Sequence, residues 1–395
     1  MIVLFLLLGC FLGIITGIIP GLHINNVSLL LLFFLPIADL NIAVLIISMS
    51  IMHSFTDFIP SILFGAPEAE SFLSILPGHK LLLQGEGLLA IKLTIIGGLI
   101  AGIIAVIVSP IFAIFLVQFI PLISLLIPWL LIIVLFSMIL SESSKRTKTI
   151  ALIVVILSGI LGIIVLRNYF SVQNPLMPLI TGFFGVSAIL YSIKEKTAIR
   201  KQKIQNNSFQ INSSIFSSIL AAVSAGIVSL LPSVGASEAA FIVRKIVGKI
   251  STKNYLMILG GISTANMIFS VIVLFFIGKT RTGTAAVIKQ IIPLSFNELI
   301  IIILAIIASL GISAITALFL AKFLVERFHR IKYQKINIAM LMFIVGMTIL
   351  LSGFKGLIVM SLSTCVGLIA ISSHTKRTNC MAFLMIPTIV FYLGI

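Results

Sequence analysis

A carboxylate stands inside an apolar segment at Asp57, in the stretch HSFTDFIP (53–60). An ionisable side chain at membrane depth is costly and by default marks a functional site. Together with the neighbouring hydroxyls of Ser54 and Thr56, it has the chemistry to carry a coupling proton or to ligate Na⁺. We therefore expect Asp57, Ser54 and Thr56 to be ion-coupling residues. The alternative is that Asp57 is an interface residue near the end of a span.

Two breaks interrupt apolar runs and place polar side chains directly behind them, at PGLHINN (20–26) and PSVGASE (232–238). At membrane depth a helix breaks only where protein or a water-filled cavity satisfies the freed backbone groups. The freed amides and the start of the next helix can then hold an anion. Simple capping is the alternative for any single residue. The predicted substrate-binding residues here are Pro20, Gly21, His23, Asn25, Asn26, Pro232, Ser233, Gly235 and Ser237, and Glu238 is a further ion-coupling candidate.

A second pair of segments, GAPEAES (65–71) and GKTRTGT (278–284), carries charged and hydroxyl side chains at the end of a span. Guanidinium and hydroxyl groups donate to carboxylate or phosphate oxygens. Snorkelling of Lys279 and Arg281 at a span end is the alternative. The spacing GxxxxGK[ST] is missing, so a nucleotide site is excluded. We add Pro67, Glu68, Thr280, Arg281 and Thr282 to the predicted substrate-binding residues.

The chain has few features of an enzyme or a metalloprotein. It contains no HExxH motif, and His23, His53 and His79 match no standard helical ligand pair. The three cysteines stand singly in apolar surroundings without CxxC spacing. We expect no catalytic residue, no metal and no cofactor apart from a coupling Na⁺ or H⁺.

The elements that must position these residues are membrane helices. The chain is 60% hydrophobic and only 9% charged, whereas soluble domains carry about 25% charged residues. Apolar stretches of 18 or more residues recur along the chain, enough to cross roughly 30 Å of hydrocarbon. The net charge of +16 comes from basic residues in short loops between spans, which is typical of cytoplasmic loops facing anionic lipid. The composition predicts an all-α polytopic protein of the cell membrane that binds no nucleic acid.

The spans fall into two similar halves. Residues 1–205 contain a hairpin (2–37) and five spans, and residues 206–395 contain a hairpin (214–243) and five spans. Segment 13–31 aligns with 224–243, placing Pro232 on Pro20, and 54–63 aligns with 263–272, placing Asp57 on Asn266. Because each half has an odd number of spans, the halves have opposite orientations, and both termini are predicted outside. This pattern predicts an inverted repeat of about ten transmembrane helices plus two re-entrant hairpins, with its binding site at the midplane.

The motifs and their order resemble the TctA-type large membrane subunit of tripartite tricarboxylate transporters, in a shortened, archaeal-like form. The segments that carry the resemblance are GIITGIIPGLHINN, PSILFGAPEAES and LPGHKLLLQGEGLLAI in the first half, and AGIVSLLPSVGASEAAF, STAN and IGKTRTGTAAV in the second. The family's Pro-Gly pairs are Pro67-Glu68 and Thr280-Arg281 here, and the Asp and Tyr of its DGY motif are Pro77 and His79.

The resemblance implies a secondary transporter of small organic anions, typically carboxylates, driven by an ion gradient. It also implies a small membrane subunit and an extracytoplasmic binding protein as partners. Carried over by position, the binding region comprises Pro20, Gly21, Asn25, Pro67, Gly78, Pro232, Gly235 and Asn266. A translocase for a lipid-linked phosphate, such as a polyprenyl phosphate, is the alternative function. The sequence leaves open the solute and whether the chain forms a homodimer.

Overall fold

The architecture is that of a computed structural model, which describes residues 1–395 except 20–23, 25–26, 29–30, 33–38, 65–74, 196–201, 203–210, 231–234, 249, 281, 329–332 and 395. Every regular element in this part of the chain is a helix. In the first half these are α1 (Ile2–Ile18), α2 (Leu40–Thr56), α3 (Phe58–Phe64), α4 (Ile75–Leu83), α5 (Gly87–Leu140), α6 (Lys145–Leu166), α7 (Leu176–Ile180), a π-helix (Thr181–Val186) and α8 (Ser187–Glu195). In the second half they are α9 (Ile211–Val228), α10 (Ala236–Val247), α11 (Thr252–Ile277), α12 (Gly283–Ile291), α13 (Phe296–Phe328), α14 (Tyr333–Ser372), a 3₁₀ helix (Arg377–Met381) and α15 (Ala382–Leu393).

Two helical segments form the centre of the molecule. Among the described residues, six helical segments are long and apolar enough to cross a membrane. The apolar window of Leu40–Leu63 is 100% buried and that of Thr252–Ile277 is 94% buried, against 28–44% for the other four. A span exposed to lipid leaves one face uncovered. α2 and α11 are therefore enclosed by protein on nearly all sides.

Helix α5 joins two spans that the sequence predicts separately, at 88–116 and 122–140. Its 54 residues form one helical element. The connection between the predicted spans is apolar, so backbone groups there find few partners other than their own helix. By contrast, the polar loop SESS (141–144) separates α5 from α6. Similarly, α14 joins the predicted spans 336–352 and 356–373 across a kink at Gly353, where φ is +66°.

Glycines allow the central helices to approach their neighbours closely. Gly9, Gly13 and Gly17 repeat every four residues along one face of α1, and a Cβ at each would press on α2. A Cβ on Gly97 of α5 would overlap the carbonyl oxygen of Met257 in α11, and one on Gly260 of α11 would overlap that of Thr94 in α5. Small residues of this kind let membrane helices gain dispersion energy from backbone contact.

The remaining spans form an outer bundle in which the two halves pack against each other. α6 packs against α15, and α14 packs against the segment formed by α7, the π-helix and α8. A Cβ on Gly162 of α6 would overlap the carbonyl oxygen of Phe383, and one on Gly367 of α14 would lie 2.5 Å from that of Phe183. The rings of Phe183 and Phe383 stack with centroids 5.3 Å apart.

Polar contacts join the halves at one end of this bundle. The carboxylate of Glu142, which is buried, accepts from the amide of Lys376 (3.0 Å) and from Nδ2 of Asn379 (2.9 Å). The ammonium of Lys376 donates to the carbonyl and hydroxyl oxygens of Ser141, at 2.6 and 2.8 Å. The basic loops 141–148 and 373–377 therefore lie at the same end of the bundle.

A separate contact joins the halves at the opposite end of α6. Nδ2 of Asn174 donates to the carbonyl of Leu351 (3.1 Å), and the hydroxyl of Ser352 donates to the carbonyl of Asn174 (3.3 Å). These residues lie beside the kink at Gly353. The contacts at Glu142 and at Asn174 are therefore separated by the 22 residues of α6.

We expect the close contact at Gly260 to be sensitive to a single methyl group. Gly260→Ala forces a Cβ into a backbone oxygen, and overpacking of this kind costs about 1–3 kcal/mol. Thermal unfolding of the purified protein in detergent should show a lowered Tm. The matched control is Gly311→Ala in α13, where the added Cβ meets nothing within 4 Å and Tm should stay the same or rise. Equal effects of both substitutions would contradict the backbone contact.

Candidate functional site

The first polar stripe of the core consists of Ser50, His53, Ser54, Asp57 and Ser61, on α2 and α3. Their spacing of three and four residues places them on one face of a helix. None of these side chains is more than 2% exposed. The amide of Asp57 donates to the carbonyl of His53 (3.0 Å), so the helical path continues through this residue. The carboxylate of Asp57, predicted to be ion-coupling, is thus part of the buried first polar stripe.

The second polar stripe consists of Ser263, Asn266 and Ser270 on α11. Ser263 and Ser270 are fully buried, and Asn266 is 7% exposed. The hydroxyl of Ser270 donates to the carbonyl of Asn266 at 2.7 Å. In the predicted repeat register Ser263 corresponds to Ser54, Asn266 to Asp57 and Ser270 to Ser61. In that predicted register the serines of the two stripes correspond, whereas the carboxylate of Asp57 corresponds to the neutral amide of Asn266.

A hydrogen bond between Ser54 and Thr264 joins the helices that carry the two stripes. The hydroxyl oxygens are 3.1 Å apart. Ser54 donates its proton to the carbonyl of Ile51 in its own helix (2.8 Å). A hydroxyl has one proton, so Thr264 is the donor to Ser54. The contact lies where the buried cores of the two halves meet.

Two polar contacts hold α2 against α1. The hydroxyl of Thr56 donates to the carbonyl of Met52 (3.0 Å) and lies 3.2 Å from that of Gly13 in α1. Nδ1 of His53 is 3.0 Å from the hydroxyl oxygen of Thr16, also in α1. Both sets of partners are buried. The hydroxyl groups of the predicted ion-coupling residues Ser54 and Thr56 thus serve as helix-to-helix contacts in this structure.

Two short helices pack across the halves. α12 of the second half contacts α2, and α4 of the first half contacts α11. Thr282 caps α12 by accepting from the amide of Ala285 (3.2 Å). Gly78 in α4 is buried against Ile62, whose Cγ1 would lie 2.7 Å from a Cβ at that position. Thr282 thus lies at the start of a helix that contacts α2, Gly78 lies against Ile62, and the half-buried Thr280 lies just after α11.

The other predicted site residues are placed as follows. Gly235 is half-buried and precedes α10, where its carbonyl accepts from the amide of Ala239 (3.1 Å). Ser237 and Glu238 belong to α10. Ten predicted residues lie outside the described part of the chain: Pro20, Gly21, His23, Asn25, Asn26, Pro67, Glu68, Pro232, Ser233 and Arg281.

Sequence reasoning missed Thr16 and treated His53 only as a metal ligand. The glycines at 9, 13 and 17 could have indicated Thr16, because their spacing marks a helix face in close contact with another helix and Thr16 lies between the last two of them. The partner helix, however, is decided only by packing. Within the described ranges, no group of three or more His, Cys, Asp or Glu lies close enough to hold a metal ion.

Nearly the whole chain matches the model of a known family. Its model, described as the tripartite tricarboxylate transporter TctA family, matches residues 3–382. The chain belongs to the TctA family. It is therefore a membrane component of tripartite tricarboxylate transport and not an enzyme, as the motif resemblance implies.

A protein similar to this chain occurs in an archaeon. The uncharacterized protein MJ1079 of Methanocaldococcus jannaschii is 29% identical over 404 aligned positions, which cover 99% of this chain and 98% of the relative. No solved structure matches the chain. The family and the apolar helices together establish a multi-pass membrane protein.

We expect Ser54 and Thr264 to be energetically coupled. Hydrogen bonds between membrane helices contribute on average about 0.6 kcal/mol, with a maximum near 1.7. Ser54→Ala and Thr264→Val should each reduce stability, and the double variant should lose less than the sum by about that amount. Reversible unfolding in mixed detergent measures the cycle.

The control cycle for this contact pairs Ser54→Ala with Ser158→Ala. Ser158 lies in α6 and donates to Val154 within its own helix (2.6 Å). These two effects should add. An additive result for Ser54 and Thr264 would show that the contact contributes nothing.

Proposed function

We propose that this TctA-family chain is the conducting subunit of an ion-coupled secondary transporter for a small carboxylate-type anion. The observation that carries the proposal is the pair of polar stripes buried on α2 and α11. Polar groups enclosed at membrane depth are costly and are retained where a solute or ion uses them. The solute would bind near the midplane, between the central helices and the tips of the two hairpins.

An inverted repeat of residues 1–205 and 206–395 accounts for several contacts that otherwise have no relation. Each short helix packs on the central helix of the other half, and each half contributes one central stripe. Gly162 meets the backbone of Phe383, while Gly367 meets that of Phe183. Pairs of this kind are expected when a pseudo-two-fold axis relates the halves. The stacked rings of Phe183 and Phe383 support an axis passing close to them.

The ion-coupling role falls to Asp57, with Ser54, Thr56 and Glu238 as contributing residues. The Asp57 carboxylate is 1% exposed, and its counterpart Asn266 is neutral. A negative charge in one stripe and a neutral amide in the other fits a site that binds one cation with one anion. Symport would follow when neither binds well alone.

Anion binding would depend on donors gathered at the hairpin tips and at the start of α12. Sequence assigns these donors to Asn25, Asn26, Ser233, Ser237 and Arg281, with Thr280 and Thr282 nearby. Thr282 caps the start of α12, and α12 packs on α2, the helix that carries most of the first polar stripe. His23 of the first hairpin and Glu68 of the segment 65–71 are the other polar residues that the sequence assigns to this binding site.

The family implies partners for this chain, namely a small membrane subunit and an extracytoplasmic binding protein that delivers the anion.

The alternative function, a translocase for a lipid-linked phosphate, needs an opening from the stripes to the bilayer. In the described part of the chain α2 and α11 are enclosed by other helices. This enclosure favours a water-soluble solute.

The coupling role of Asp57 predicts a selective defect in the Asp57→Asn variant. The amide keeps the shape of the side chain and removes its charge. Uptake into proteoliposomes is measured with mono-, di- and tricarboxylates, with and without Na⁺ and pH gradients. The factor by which a gradient stimulates uptake should fall about 5- to 150-fold, which corresponds to about 1–3 kcal/mol of coupling free energy. Gradient-driven uptake at the wild-type level would contradict the role.

The matched control for Asp57→Asn is Glu326→Gln. Glu326 is a surface carboxylate on α13, 4.0 Å from Lys322, and 38% of its side chain is exposed. Exposed pairs contribute little, so this variant should transport like the wild type. A defect shared by both variants would indicate damage to folding or insertion.

The predicted orientation can be tested by cysteine labelling. In a background with Cys10, Cys365 and Cys380 replaced by Ala, the exposed residues Lys145 and Tyr169 at opposite ends of α6 are changed singly to Cys. A membrane-impermeant maleimide applied to intact cells should label the Tyr169→Cys variant alone. Labelling of the Lys145→Cys variant alone would reverse the assignment of basic loops to the cytoplasm.

A further inference from the structure

We propose that Lys289 of α12 is a positioning residue for anion binding, which holds the turn 278–282 in place and offsets the negative end of α11. This inference rests on the proposed function, in which the anion binds at the start of α12 and at the neighbouring donors. Lys289 stands in the same polar segment as those donors, but the sequence alone assigns it no role. Its role follows from a contact that residue spacing does not reveal.

Lys289 reaches back from its own helix to the end of the preceding long helix. Its Nζ donates to the carbonyl of Gly278 across 2.7 Å. Gly278 is the C-cap of α11, with φ at +68°, and Lys289 lies in the last turn of α12. The hydrogen bond therefore closes a loop that begins at the end of α11 and ends at the end of α12.

This closed loop contains three donors that the sequence assigns to the anion, namely Thr280, Arg281 and Thr282. Thr282 accepts from the amide of Ala285 (3.2 Å), and its hydroxyl oxygen is 3.0 Å from that of the buried Thr284. These two contacts fix the start of α12, but they involve only residues 282–285. The bond from Lys289 joins the far end of the same helix to α11.

Apolar packing also holds α12 on the core. Val287, Ile288 and Ile291 are buried, and the helix contacts α2 and α11. Apolar burial is non-directional, so it holds the helix without fixing its tilt. The bond from Lys289 has a direction and ends at one point, the Gly278 carbonyl. Because a displacement of about 1 Å at a positioning group can cost roughly 100-fold, we expect anion binding to depend on this bond.

The charge of Lys289 has a second effect. The carbonyl groups of the last turn give a helix C-terminus about −0.5 elementary charge, and a cation there is favourable. α11 ends at Ile277, directly before the turn 278–282, so its negative end lies next to an anion held by that turn. The ammonium of Lys289 offsets this charge from the Gly278 carbonyl. A lysine that only capped α11 would stabilise the fold without affecting anion binding.

Three substitutions separate the hydrogen bond from the charge. Lys289→Arg keeps both, Lys289→Gln keeps a donor without the charge, and Lys289→Met removes both. The matched control is Lys322→Met on α13. The side chain of Lys322 is 60% exposed and lies 4.0 Å from Glu326, and exposed pairs of this kind contribute little.

The first measurement needs no solute. Hydrogen–deuterium exchange of the purified protein in nanodiscs, followed by mass spectrometry, reports on peptides that cover 278–285. These amides should exchange several-fold faster in Lys289→Met than in the wild type, Lys289→Arg or Lys322→Met, while peptides from the buried stripe 263–270 should not change. Unchanged exchange of 278–285 in Lys289→Met would overturn the proposal whatever the protein transports.

The second measurement links the turn to the anion. Uptake of acetate, succinate and citrate into proteoliposomes gives KM and kcat for each carboxylate that is transported. Lys289→Met should raise KM by about 10- to 100-fold at nearly unchanged kcat, Lys289→Gln should raise it less, and Lys289→Arg and Lys322→Met should resemble the wild type.

The outcomes distinguish the positioning role from the proposed function. A folded Lys289→Met protein with the wild-type KM, or with a lowered kcat at unchanged KM, would overturn the role in anion binding. A KM for Lys289→Gln equal to that of the wild type would contradict the effect of charge. If the exchange of 278–285 responds as expected but the wild type takes up no carboxylate, Lys289 still holds the turn and the proposed function fails.

Discussion

The absence of water in the bilayer is the constraint on which this structure depends. Backbone and side-chain polar groups at membrane depth must find partners within the protein. The two central helices meet this requirement by being enclosed, so their hydroxyls, amide and carboxylate face protein instead of lipid. The hydrogen bond from Thr264 to Ser54 joins them at the point where the two halves meet. Polar chemistry at the centre is possible because the neighbouring helices exclude lipid from it.

Glycine is the second means by which the fold encloses its core. The glycines of α1, α5 and α11 bring helix backbones into direct contact. In the outer bundle, Gly162 and Gly367 do the same for spans of opposite halves. Because these contacts are made by backbone atoms, they tolerate little change in side-chain size. The polar contacts at Glu142 and Asn174 then join the outer bundle at each end.

The proposed mechanism uses a difference between two otherwise similar halves. In the predicted repeat register Ser54 and Ser61 correspond to Ser263 and Ser270, whereas Asp57 corresponds to the neutral Asn266. The shared residues contribute the enclosed polar surface, and the unshared ones contribute charge. In the proposed repeat, a carboxylate in one half alone would attract a cation to one side of the axis, which is a physical basis for coupling a cation to an anion.

Composition and motif order were sufficient to determine the class of protein, because hydrophobicity and charge placement depend on the membrane and not on contacts. The sequence alone therefore determined an all-helical membrane protein of the TctA family. It did not determine that 88–140 is a single helical element, because an apolar connection does not distinguish a turn from a continuing helix. Nor did it determine that Thr16 contacts His53 or that Thr264 contacts Ser54. Those pairings depend on which helices pack together and at what rotation, and only the tertiary structure decides both.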